Sequence, residues 1–140
     1  MDGLCNFTPH DLCFYVRDDT SGEIGYIDGK PQCVRKVYTL PSIGNMRVIE
    51  RAVPIRHITI PDSKDTVPVS IRQLRGEEDI TFLDEAKSKY IVVSRLVADS
   101  CSDKLLKAGV EGIFYVDAGP KGAVRAPNGR MIGVLGLIKV

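Results

Sequence analysis

The chain has 140 residues, of which 44% are hydrophobic and 26% charged, and 19 basic side chains oppose 18 acidic ones for a formal net charge of +1. That size and composition suit a single globular domain over residues 1–140, with a core that needs neither disulfides nor metal. They exclude an intrinsically disordered chain. The charge balance lacks the strongly basic footprint of a duplex nucleic-acid binder.

No stretch approaches the roughly 18 apolar residues of a membrane span, and no basic stretch followed by an apolar run opens the chain, so neither a membrane anchor nor a signal peptide is expected. The four cysteines, Cys5, Cys13, Cys33 and Cys101, form no C-x-x-C pair. They read as small apolar residues with reduced thiols, and no metal site or cofactor is expected.

In chain order, Asp11 to Arg17 alternates apolar and polar positions and predicts a half-buried strand. Asp18 to Gly22 is a turn cluster, and Glu23 to Ile27 a second strand. Asp28-Gly29 is the dipeptide of a tight hairpin, because both residues tolerate positive φ. Gln32 to Leu40 is the next strand, ended by Pro41 to Asn45. Met46 to Pro54 and Ile55 to Ile60 read as two extended runs parted by Pro54. A loop from Pro61 to Thr66 and a short strand from Val67 to Ile71 follow.

Arg75 to Asp79 is polar and flexible in character. Ile80 to Lys89 carries partial helical spacing at Phe82, Leu83 and Ala86. Tyr90 to Val93 is an apolar strand, and Ser94 fits a helix N-cap. Leu96, Val97, Cys101, Leu105 and Ala108 fall on one helical face, with Gly109 as the stop. Val110 to Val116 returns as a strand, Asp117 to Gly122 is a loop, and Pro127-Asn128-Gly129 marks another hairpin. Met131 to Val140 closes the chain as one strand. The expected fold is α+β: mostly antiparallel, about eight or nine short hairpin-linked strands, with one main helix near 95–108.

Five constellations are candidates for chemistry. In Asn6-Phe7-Thr8-Pro9-His10, short polar side chains and a fixed bend can hold a phosphate or a base edge, or Asn6 and Thr8 can simply bond the local backbone. Ser94, at a strand-to-helix junction, stands where helix amides favour anions, or is an ordinary cap. The loop from Asp117 through Gly119, Lys121 and Gly122 to Arg125 offers amides and cations for phosphate; otherwise it is a solvated loop with Arg125 paired to Asp117. His57-x-Thr59 places a histidine and a threonine on one strand face. Two-histidine phosphoesterases use two such motifs, and here His10 is followed by Asp-Leu, which leaves half of that machinery missing. Glu77-Glu78-Asp79 with Asp84-Glu85 lacks calcium-loop spacing and reads as a solvated acidic face.

Taken together, Asn6 to Leu12, Pro41-Ser42, Tyr90 to Ala98, Asp117 to Pro120, Val124-Arg125 and Gly129 to Val134 resemble an uncharacterised family of small bacteriophage and prophage proteins. Its pattern runs N-L-T-P-H near the start, then I-V-S-x-L-V-A, D-x-G-P, V-R and a closing G-x-x-I-G-V. This chain departs from it in Phe7 for the usual leucine, an extra valine before Ser94, a longer Ser100 to Ile113 segment, and Asn45-Met46-Arg47 in place of the usual turn.

The resemblance implies a phage origin and action in the host cytoplasm. With the polar turns it leads to the expectation of a non-enzymatic binder. Such a protein would sequester a nucleotide-derived immune signal, a cyclic dinucleotide or cyclic ADP-ribose, as a homo-oligomer with its pocket at or near an interface. The expected ligand contacts are Asn6, Thr8, His10, Ser94, Asp117, Gly119 and Arg125. Alternatives are a phosphodiesterase using His57, Thr59 and His10, and a structural or protein-binding phage component.

Overall fold

The computed structural model describes residues 3–47, 50–74 and 83–140. Its strands are β1 (Leu4–Asn6), β2 (Leu12–Arg17), β3 (Ile24–Ile27), β4 (Lys30–Leu40), β5 (Glu50–Thr59), β6 (Thr66–Leu74), β7 (Tyr90–Val92), β8 (Gly112–Val116), β9 (Ala123–Arg125), β10 (Met131–Val134) and β11 (Leu137–Lys139). A single-turn helix, α1 (Leu83–Ala86), precedes β7, and the main helix, α2 (Arg95–Lys107), lies between β7 and β8. The expected strand-rich α+β composition and the main helix are present.

The strands form three groups. A four-stranded sheet has the order β1-β7-β8-β11, with β1, β7 and β8 mutually parallel and β11 antiparallel to β8. The β7-α2-β8 segment is the crossover that parallel neighbours require. A closed five-stranded barrel follows the order β10-β2-β4-β3-β9. It closes through antiparallel β9–β10 pairing and one parallel step, in which Val134 faces Phe14. The third group is the β5–β6 hairpin, which pairs with neither.

Local chemistry explains these elements. Asp28 and Gly29 take φ of 54° and 74° and turn β3 into β4, as the dipeptide predicts. Asp18 fastens the preceding turn. Its carboxylate accepts from the Thr20 hydroxyl at 2.6 Å and from Arg35 Nε at 2.8 Å. Those bonds, the Thr20 hydroxyl first, hold its pKa down at about 2. Helix α2 buries Val97, Ala98, Cys101 and Leu105. Leu96 is exposed and Ala98 is buried, so the apolar stripe is turned slightly from the expected one. Gly109, at φ 101°, ends the helix in the left-handed region that glycine tolerates.

Several boundaries differ from expectation: β4 begins at Lys30, β6 spans Thr66–Leu74 and β8 begins at Gly112. Pro54 does not divide two runs; β5 continues through it, and a bulge between Pro54 and Arg56 absorbs the irregularity. The final segment is two strands, because β10 belongs to the barrel and β11 to the sheet. Leu4–Asn6 is a strand that no local pattern announces. The polar run at Arg75 to Asp79 and the start of the Ile80 to Lys89 segment lie outside the described residues.

Two hydrophobic clusters result. One packs α2 and Phe7, Met46 and Val110 against Ile91, Val93 and Ile113 of the sheet side. The other fills the barrel with Tyr15, Ile27, Val34 and Val124. The chain passes from sheet to barrel between β1 and β2 and again between β8 and β9, and returns between β10 and β11. Those crossings meet at one end of the molecule's parallel strands.

Candidate functional site

A cavity of about 920 Å³ opens at this junction. One wall is the opening turn and the start of β2, from Thr8 to Cys13. The second is Val93, Ser94, Arg95 and Val116. The third is the β9–β10 hairpin, through Ala126, Asn128 and Arg130 to Val134. Residues 8, 93–95 and 116 follow or end β1, β7 and β8. The cavity therefore lies outside the carboxyl ends of three parallel strands, the usual crevice for ligands in α/β sheets.

The opening turn is held by Asn6. This side chain is completely buried. Its Nδ2 donates to the carbonyls of His10 at 2.9 Å and Leu40 at 3.0 Å, and its Oδ1 accepts from the Thr8 amide at 2.9 Å. The Thr8 hydroxyl lies 2.6 Å from the same Oδ1 and 3.0 Å from the His10 carbonyl. Ser42 adds a hydroxyl bond to the Thr8 carbonyl. The turn is thus fixed from inside, while Pro9 and His10 stand exposed on the cavity's edge.

Ser94 caps α2, its hydroxyl accepting from the Val97 amide at 3.3 Å. The first-turn amides of Arg95 and Leu96 have no acceptor within the helix, as at any helix start. Arg95 is exposed, with its guanidinium carbon 5.7 Å from the Tyr115 ring centre and its Nε 3.6 Å from Asp99 Oδ2. Across the cavity, the Asn128 side chain accepts from the Arg130 amide at 2.9 Å, which shapes the hairpin tip. Among the described residues, no carboxylate forms an ion pair with Arg130. The floor is apolar, from Leu12, Val93, Val116, Ile132 and Val134. The rim carries one histidine, two guanidinium groups, a helix start and the single carboxylate of Asp11.

Of the seven expected contacts, the structure brings Thr8, His10 and Ser94 to this cavity. Asn6 is the fastener behind the turn, with its polar atoms consumed by the chain itself. Asp117 and Gly119 lie outside the lining. The Asp117 carboxylate accepts from the Gly119 amide at 3.3 Å and folds over Gly122, where a Cβ would sit 2.2 Å from the Asp117 carboxyl carbon. Arg125 also lies outside the lining and donates to the Gly129 carbonyl at 2.9 Å rather than pairing with Asp117.

Sequence reading missed Arg95, Asn128 and Arg130. Pro127-Asn128-Gly129 did announce the hairpin, but only the barrel closure shows which side of it meets the cavity. His57 and Thr59 stand on the β5–β6 hairpin, outside the lining that includes His10. Among the described residues no cluster of His, Cys, Asp or Glu has metal-site geometry, and no helix is long and apolar enough to cross a membrane. Glu77 to Asp79 lie outside the described residues; Asp84 is exposed and sits 3.4 Å from Lys87 Nζ.

No protein-family model, curated protein or solved structure matches the chain.

Proposed function

We propose that the chain is a non-catalytic binder of a small phosphate-bearing ligand, held in the junction cavity, and that it acts as a phage-encoded sponge for a nucleotide-derived host signal. The observation that carries the ligand reading is the placing of a large cavity at the carboxyl ends of β1, β7 and β8 and beside the start of α2. An apolar floor suits the faces of a base. Arg130 and Arg95 suit phosphate, with the helix start adding a favourable dipole and amide donors. Thr8, His10, Ser94 and Asn128 are the polar groups that would orient ribose or base edges. The sponge reading is supported by the resemblance to small phage proteins.

The phosphodiesterase alternative needs His57 and Thr59 near the phosphate. Their place on a separate hairpin offers that reading no support.

Thermal-shift screening against cyclic dinucleotides and cyclic ADP-ribose tests the proposal. A ligand at one hundred times its Kd adds about 2.7 kcal/mol to stability, enough to raise Tm by several degrees. The expected outcome is such a shift for one of these ligands, its loss in Arg130→Ala, and recovery of intact ligand after the protein is denatured. No shift with any of them overturns the signal reading. Recovery of cleaved ligand overturns the non-catalytic one.

A further inference from the structure

The junction cavity carries its charge unevenly over its three walls. The opening-turn wall holds a carboxylate: Asp11 lines the cavity, and its Oδ1 accepts from the Ser42 amide at 2.8 Å. The other two walls hold one guanidinium group each, from Arg95 at the start of α2 and from Arg130 just before β10. Among the described residues no lysine joins them in the lining.

The two arginines come from different parts of the fold. Arg95 follows the sheet strand β7, and Arg130 leads into the barrel strand β10. Both are exposed, and each stands above an apolar floor of its own wall. On the sheet side that floor includes Val93, 1% exposed; on the barrel side it includes Val134, 2% exposed. Charge therefore sits high on two walls, with apolar surface deeper between the elements that carry it. Neither side chain is committed elsewhere. The Arg130 guanidinium has no carboxylate or hydrogen-bond partner among the described residues. Arg95 Nε lies 3.6 Å from Asp99 Oδ2 with both side chains largely exposed, a pairing too weak to withhold it from a phosphate.

A single phosphate, or the two adjacent phosphates of a pyrophosphate, would sit at one of these walls and leave the other guanidinium without an anion. Two phosphodiesters spaced by sugars would meet both, and the bases between them would cover the apolar floor. Resting on the reading of this cavity as a ligand site, we infer that its ligand is a cyclic dinucleotide, with one phosphodiester at Arg95 and the other at Arg130, rather than cyclic ADP-ribose or a cyclic mononucleotide.

Calorimetric titration of the full chain with cyclic di-AMP, cyclic di-GMP, cyclic GMP-AMP, cyclic ADP-ribose and cyclic AMP tests this. The expected result is that one cyclic dinucleotide binds at least about tenfold more tightly than either cyclic ADP-ribose or cyclic AMP, since only it uses both charge-assisted contacts. Arg95→Gln and Arg130→Gln, each at an exposed position, keep the ligand-free Tm and each weaken that dinucleotide at least about tenfold. Lys107→Gln removes a charge from the far end of the same helix and leaves its affinity unchanged. Cyclic ADP-ribose or cyclic AMP binding within tenfold of the best dinucleotide overturns the inference and leaves the ligand reading of the cavity standing. So does a smaller loss in either arginine variant, because one phosphate contact then suffices, or an equal loss in Lys107→Gln, which would make the effect one of net charge. Absence of binding by all five compounds overturns both.

Discussion

Asn6 shows how one side chain converts sequence into a site wall. Its carboxamide bonds the buried Leu40 carbonyl and the Thr8 amide, and shares the His10 carbonyl with the Thr8 hydroxyl. Leaving such groups without partners costs about 1–3 kcal/mol each, less whatever water can reach. Asn6→Ala therefore destabilises the chain by about 2–4 kcal/mol, read as a lower urea midpoint at unchanged slope. Asn6→Asp is no rescue, because an acceptor then faces the carbonyls of His10 and Leu40. A loss below about 0.5 kcal/mol, the range of ordinary surface changes, would mean that the turn is held by Ser42 and Pro9 instead. Asn6, one of the ligand contacts expected from the sequence, thus does its work behind the cavity wall.

At the scale of elements, α2 starts where its sequence says it must. Ser94 supplies the cap, and its hydrogen bond at 3.3 Å is at the long end for such contacts. Ser94→Ala is expected to cost about 1 kcal/mol by thermal or urea unfolding, toward the lower half of the range for caps. The cap, the Asp28-Gly29 turn and the Gly109 stop were legible because each is decided within a few residues. What was illegible depends on distant partners. Leu4–Asn6 is a strand because β7, more than eighty residues away by sequence number, pairs with it. The break between β10 and β11 reflects a change of sheet, which alternation in Met131 to Val140 cannot reveal. The same holds for the site: Thr8, His10 and Ser94 came from turn and cap chemistry, whereas choosing Arg130 over Arg125 required knowing that β10 lies against β2.

For the whole molecule, the decisive event is the closing of the barrel, because it carries the β9–β10 hairpin over the ends of the parallel strands and so makes the cavity. The step from β10 to β2 is a single paired position, Val134 with Phe14, and it is close-packed beside Gly133. A Cβ at Gly133 would lie 2.5 Å from the Tyr15 ring and 2.6 Å from the Cys13 carbonyl oxygen. The ring is buried and the carbonyl is backbone, so neither yields readily. Gly133→Ala must lift β10 from β2, at a cost of about 1–3 kcal/mol in line with overpacked sites. Gly136, three residues on, would meet nothing within 4 Å on gaining a Cβ. Gly136→Ala should stay within about 0.5 kcal/mol of the wild type. Because Cys13, Gly133 and Val134 also line the cavity, Gly133→Ala weakens ligand binding while Gly136→Ala leaves it intact. Urea unfolding of the two variants, paired with the thermal-shift assay, separates the cases. Equal stabilities would show that close approach at Gly133 is not what shuts the barrel. A Gly133→Ala protein that is destabilised yet binds as well as the wild type would show that barrel closure does not form the ligand's wall.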